Sequence, residues 1–160
     1  MTIQISAIEG HCDPETDPYA QMSSYSGCDA GGSKKKVGIL YEFVSYWLKH
    51  RAHIKRDVAH LFTARTFLDK YTGCSYIGTL CNQTFSYGVE SMTFSKEVLM
   101  QSVLFAHELG HNCGAWHHMA GSGYIMNTQI DFSPFGFAPE TVTQMKHYLS
   151  SQHCLSTVFY

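Results

Sequence analysis

The chain has 160 residues, enough for one domain with a buried core. Its net charge of −2 leaves no positive surplus for a nucleic acid or an anionic membrane surface. No apolar stretch reaches the roughly 18 to 20 residues needed to cross a bilayer, so no membrane span is expected.

Residues 1–9 alternate Ile3, Ile5 and Ala7 with Thr2, Gln4 and Ser6, which predicts a half-buried strand and lacks the profile of a signal peptide. Residues 10–36 are rich in Gly, Ser, Asp and Pro and read as a long loop insertion, which a bridge between Cys12 and Cys28 would staple. The basic run Lys34, Lys35 and Lys36 closes this loop and reads as solvated. Leu40, Phe43, Val44, Trp47 and Leu48 then recur at helical spacing and predict an amphipathic helix. "DVAHLFTARTF" (57–67) reads as a strand and "CSYIGTLC" (74–81) as a short second segment. In "TFSYGVESMTF" (84–94), Gly88 hints at an edge or a bulge.

Residues 97–112 return to helical spacing, with Val98, Leu99, Val103, Phe105 and Ala106 expected on the buried side. Pro139 opens the last helix, whose Val142, Met145 and Leu149 face one way. Strands and helices interleave with no repeat or boundary. The fold class is therefore α/β (α+β), one domain over 1–160.

Six cysteines, Cys12, Cys28, Cys74, Cys81, Cys113 and Cys154, are spread along the chain without a CxxC pair. An even count at wide spacing predicts three disulfides and an oxidising compartment. Asn82-Gln83-Thr84 is a glycosylation sequon, which agrees with an extracellular or secretory-pathway location.

The chemistry concentrates in "HELGHNCGAWH", residues 107–117. His107 and His111 are four apart and so project from one helix face, where two imidazoles can grip one metal ion. Gly114 can end that helix in the left-handed conformation and let the chain bring His117 round as a third ligand. Three neutral imidazoles leave one position of a tetrahedral Zn²⁺ open for water, whose pKa the ion lowers toward ~7. Glu108 stands beside the ion as the general base. His50, His53 and His60 have no carboxylate-rich partner set and read as surface histidines, and Cys113 reads as a disulfide partner or buried thiol.

"HELGHNCGAWH", followed by Met126 in "GYIMN", resembles the zinc motif and Met-turn of the metzincin metalloproteases. It is most similar to their reprolysin branch, the ADAM, ADAMTS and snake-venom metalloprotease domains. "RDVAHLFTARTF", "GCSYIGTLC" and the closing helix ending at Cys154 add to the likeness. The resemblance implies a twisted mixed sheet over an active-site helix, with a small C-terminal subdomain below a zinc cleft. It implies a zinc endopeptidase with His107, His111 and His117 as ligands, Glu108 as base and Met126 as a hydrophobic floor. Polypeptide substrates would bind extended along the strand at 85–92, taken as an antiparallel edge. Ile130, Phe132 and Phe135 would wall the pocket for the residue after the scissile bond.

Cys81 and Cys154 match positions that are disulfide-bonded in the family, which leaves Cys74 for Cys113. Residues 1–9 resemble the family's second strand, so the first strand and helix would precede Met1 and the chain reads as N-terminally truncated. The calcium site draws a ligand from that segment, and no calcium is carried across. His118 stands where the family usually has an aspartate that anchors the Met-turn, and it is expected to face outward. A non-catalytic zinc-binding or interaction domain, an inactive fragment, and a matrixin- or astacin-like metzincin are the alternatives. Further domains outside this stretch are compatible with all of these.

Overall fold

The computed structural model describes residues 4–13, 15–19, 38–67, 70–119, 123–130 and 136–155. Helix α1 (Ile39–His50) buries Ile39, Leu40, Phe43 and Val44, the stripe the sequence spacing calls for. Each such side chain contributes about 1.5–3 kcal/mol on leaving water. Trp47 is partly buried beside them, while Leu48, at the margin of the stripe, is 40% exposed. Phe43 meets Tyr87 of the sheet edge to face, with ring centroids 5.5 Å apart.

Three strands follow: β1 (Ala59–Thr63), β2 (Gly73–Ser75) and β3 (Tyr87–Ser91). Their order is β1-β3-β2, with β1 parallel and β2 antiparallel to β3. The segment expected to be an edge is therefore the centre of the sheet. All five residues of β3 are buried, since the strand has a neighbour on each side and helices packed against it. Among the described strands, β1 and β2 are the outer ones. A 3-10 turn at Met92–Phe94 leads toward helix α2 (Val98–Asn112), and helix α3 (Pro139–Ser150) begins at the proline as expected.

Two other expectations need correction. Residues 4–10 form no strand, and Ile5 and Ile8 are 71% and 85% exposed. Alternation makes a strand only where a neighbour completes the ladder, and no described strand lies beside this segment. Within α2, Val98 and Leu99 are exposed, whereas Val103 is buried as expected and is joined in the core by Met100 and Leu104. Most of the 10–36 insertion, with Cys28, Lys34, Lys35 and Lys36, lies outside the described residues; Tyr19, near its start, is buried in the core.

Cys81 and Cys154 are joined, their Cα atoms 5.8 Å apart. The other two pairings do not hold as expected. Cys12 is a free, exposed thiol, so it does not staple the loop with Cys28. Cys113 is a free, buried thiol, whereas Cys74 is disulfide-bonded, so these two are not partners. The fold separates them: Cys74 lies on β2 against the α1 cluster, and Cys113 packs with Leu80 and Leu109 beneath α3. Burial pushes the Cys113 thiol up to about 11, which keeps it protonated and inert.

The Cys81–Cys154 bridge closes a sequence separation of 73 residues and fastens the end of the chain to the turn after β2. In the loop-entropy picture, its removal by Cys81→Ser and Cys154→Ser is expected to lower unfolding free energy by about 4 kcal/mol. Urea titration of the metal-free variant against the parent reads that loss.

Candidate metal centre

The site is built on the last two turns of α2. His107 and His111 sit one helical turn apart, and both are buried. Gly110 between them is in contact with Met126: a Cβ there would lie 2.6 Å from its sulfur, and Met126 is itself fully buried. A glycine inside a helix costs roughly 0.5–1 kcal/mol relative to alanine, and here it makes room for Met126. The helix ends at Asn112, and Gly114 follows with φ +90°, where a side chain would also strike Tyr148. The turn so formed carries His117 back over α2.

The carbonyls that a helix leaves unpaired at its C-terminus are met by the segment after β2. Gly78 N–H donates to the His111 carbonyl at 2.8 Å, and the Thr79 and Leu80 N–H groups donate to that of Asn112 at 3.0 Å. The Asn112 side-chain amide donates to the Tyr76 and Tyr87 carbonyls at 2.9 and 3.2 Å. Its oxygen accepts from His60 Nε2 at 3.0 Å, and one proton is held between His60 Nδ1 and Glu90. His60 is thus no surface histidine: its side chain is 5% exposed, in a polar chain from β3 to the end of α2. Glu90 is wholly buried, which raises its carboxyl above the ordinary range against the opposing pull of His60.

The three histidine side chains converge. His117 Nε2 lies 3.1 Å from His107 Nε2 and 2.9 Å from His111 Nε2. The opposite nitrogens are occupied. His107 Nδ1–H donates to the Ile125 carbonyl at 2.7 Å, and His111 Nδ1–H to the Ala115 carbonyl at 2.8 Å. A carbonyl only accepts, so the protons of these rings sit on Nδ1 and their Nε2 lone pairs face the centre. Burial, with mutual repulsion, lowers both His107 and His111 to about 4, so they are neutral at physiological pH. A set of bare imidazole nitrogens, held by outer bonds to carbonyls and crowded together, fits a zinc ion. One other group of ligand-type atoms is close together among the described residues, Asp57 with Cys81 and Cys154, but its two sulfurs are already spent on each other.

Glu108 is 4% exposed. Ser75 Oγ donates to its Oε2 at 2.7 Å and lies 2.8 Å from its backbone carbonyl, so the one hydroxyl proton is shared between the two acceptors. Its other carboxylate oxygen, Oε1, fills the space a Cβ on Gly73 would take, 2.4 Å from that position. Burial raises the Glu108 carboxyl to about 8; Ser75 draws it down and Glu90 pushes it further up. His118 points neither at the three histidines nor freely outward. Its backbone N–H donates to the Met126 carbonyl at 2.7 Å, and its ring bonds the hydroxyl of Thr141, a fully buried residue in the first turn of α3.

A family model described as reprolysin (M12B) family zinc metalloprotease matches residues 32–158. The chain belongs to the reprolysin family. Among similar proteins, the zinc metalloproteinase-disintegrin-like atrase-A of Naja atra is 32% identical over 116 residues, 69% of this chain. The zinc metalloproteinase-disintegrin-like brevilysins H2a and H2b of Gloydius brevicauda are each 37% identical over 75 residues, 47% of this chain. The alignments cover 19% of the first and 17% of the others, so this reprolysin chain spans less than a fifth of the length of these relatives.

The mixed α/β architecture agrees with a reprolysin domain; of the residues expected to wall the substrate pocket, Phe132 and Phe135 lie outside the described residues and Ile130 is half-buried. An apolar cavity of about 440 Å³ between α2 and α3 is lined by Phe105, Leu109, Phe137 and Met145, among others. The spacing alone pointed to His107, Glu108, His111 and His117. It left unmarked Gly73 and Ser75, which touch Glu108, and Asn112 with His60 and Glu90. Gly73 and Ser75 share one face of a strand, a relation that has meaning only once α2 is known to lie against it.

Proposed function

We propose that this chain is a zinc-dependent endopeptidase acting on extended polypeptides outside the cytosol. The observation that carries the reading is the convergence of His107, His111 and His117 through Nε2, with the buried Glu108 on the same helix. When bound there, zinc would polarise the scissile carbonyl and acidify the attacking water. His107, His111 and His117 would hold it, the first two fixed in orientation by Ile125 and Ala115. Glu108 takes the proton of the attacking water and hands it to the departing amine.

An extended substrate would add as a strand beside β2, an outer strand of the sheet whose Gly73 and Ser75 touch Glu108. The Cys81–Cys154 bridge supports an oxidising location. No helix among the described residues is long and apolar enough to cross a membrane.

Incubating the oxidatively refolded, zinc-loaded chain with a broad peptide library tests the proposal. Cleavage at internal bonds that a chelator abolishes and added zinc restores supports it; no cleavage by a protein carrying one zinc per chain sinks it. Gly73→Ala bears on the same reading. Its methyl would displace the Glu108 carboxylate, and a misplacement of that size is expected to lower kcat by about 10²-fold with zinc content unchanged. Steady-state kinetics beside metal analysis would check it.

A further inference from the structure

We infer that Ser75 is a positioning residue for Glu108: its hydroxyl fixes the orientation of the carboxylate that serves as base, and so joins the substrate-binding strand to the proton-transfer group. The inference rests on the peptidase reading given above.

Alternation in β2 puts residues 73 and 75 on one face. That face meets α2, and the two positions differ in what they offer. Gly73 offers empty space, which Glu108 Oε1 occupies; Ser75 offers a donor, which Glu108 Oε2 accepts at 2.7 Å. The same hydroxyl lies 2.8 Å from the Glu108 backbone carbonyl. Contacts to both ends of one residue restrict the torsions between them, so the carboxylate is held in one rotamer rather than merely attracted. Ser75 has no need of its hydroxyl to be a strand residue, since its backbone is already in register with Gly88 of β3. This hydroxyl donates directly to the carboxylate and draws its pKa down. A peptide pairing with β2, an outer strand of the sheet, would therefore bind to the strand that aims the base.

Three variants and two readouts test this. Ser75→Ala removes the donor and Ser75→Thr keeps it on a residue that strands favour. Glu108→Gln identifies the signal of interest in chains carrying carboxyl-labelled glutamate. In the zinc-loaded chain, Ser75→Ala is expected to lower kcat about 10-fold, as for losing one hydrogen bond to a charged group, with KM within about 2-fold and zinc content unchanged. Ser75→Thr is expected to recover most of that loss. In the metal-free chain, Ser75→Ala should move the carbon resonance of the Glu108 carboxyl while the other glutamates stay in place.

An unmoved resonance, or a kcat equal to the parent's, overturns the inference. So does an equal fall in kcat and rise in KM that threonine does not repair. If the parent cuts no peptide, the peptidase reading fails separately, and the resonance alone then decides whether Ser75 holds Glu108.

Discussion

Glu108→Gln is expected to reduce kcat by about 10²–10⁴-fold while the chain still binds one zinc. The substitution keeps the size of the side chain and its ability to accept a hydrogen bond from Ser75, so the packing against Gly73 is preserved. What it removes is a group that can carry a proton. The histidines are bonded through Nδ1 to Ile125 and Ala115 and do not depend on Glu108 for their orientation. Zinc content and peptide affinity should therefore be near the parent's. Single-turnover kinetics with a peptide found in the library screen, beside metal analysis, measures both. A variant that cuts at the parent's rate would show that Glu108 is not the base. One that loses its zinc would show that Glu108 acts through the site's architecture.

The second large effect is the dependence of the metal-free protein on pH. His107 and His111 have folded pKa values of about 4, lowered first by burial, against an ordinary 6.5. In the window between those values the unfolded chain binds protons that the folded chain refuses, so stability falls as pH drops from 6.5 toward 4. Each histidine contributes about 3 kcal/mol at the acid limit. Glu108 has the opposite sign. Its folded pKa is raised to about 8 from 4.5, so the stability it contributes is present below 4.5 and is lost as pH rises through 8. Denaturant unfolding of the zinc-free chain from pH 4 to 9 should show both slopes. His111→Ala should flatten the acid limb, and Glu108→Gln the alkaline one. An unchanged acid limb in the first variant would show that this imidazole is not the buried neutral group described here.

How much of this was legible beforehand follows from the range of the interactions. Helix α1 follows from the spacing of Leu40, Phe43 and Val44, and the start of α3 from Pro139, because these depend on neighbours within a turn or two. The three histidines were legible for the same reason: two share a helix and the third is one glycine-mediated turn away. Strand order depends on contacts between distant segments, and there the alternation of residues misled. It fits residues 4–10 as well as it fits β1, yet only β1 has a partner. The edge role passed from β3 to β2 because a three-residue strand, Gly73–Ser75, carries almost no pattern of its own. The Cys74–Cys113 pairing failed likewise, since nothing local to Cys113 says that it faces α3 rather than β2, whereas Cys81–Cys154 holds. The polar chain of Glu90, His60 and Asn112 links residues 30 and 52 positions apart and has no signature in any single stretch.

The capped end of α2 has a consequence for how the metal arrives. The last turn of a helix ordinarily frays, and ligands placed there would be ordered only by the ion they bind. Here the residues that would fray, His111 and Asn112, have their carbonyls tied to the N–H groups of residues 78–80. His107 and His111, which would hold an ion, are consequently in place without one, and His117 already converges on them. A zinc ion would therefore meet a nearly finished set of ligands, and little of its binding energy would go into ordering the protein around it.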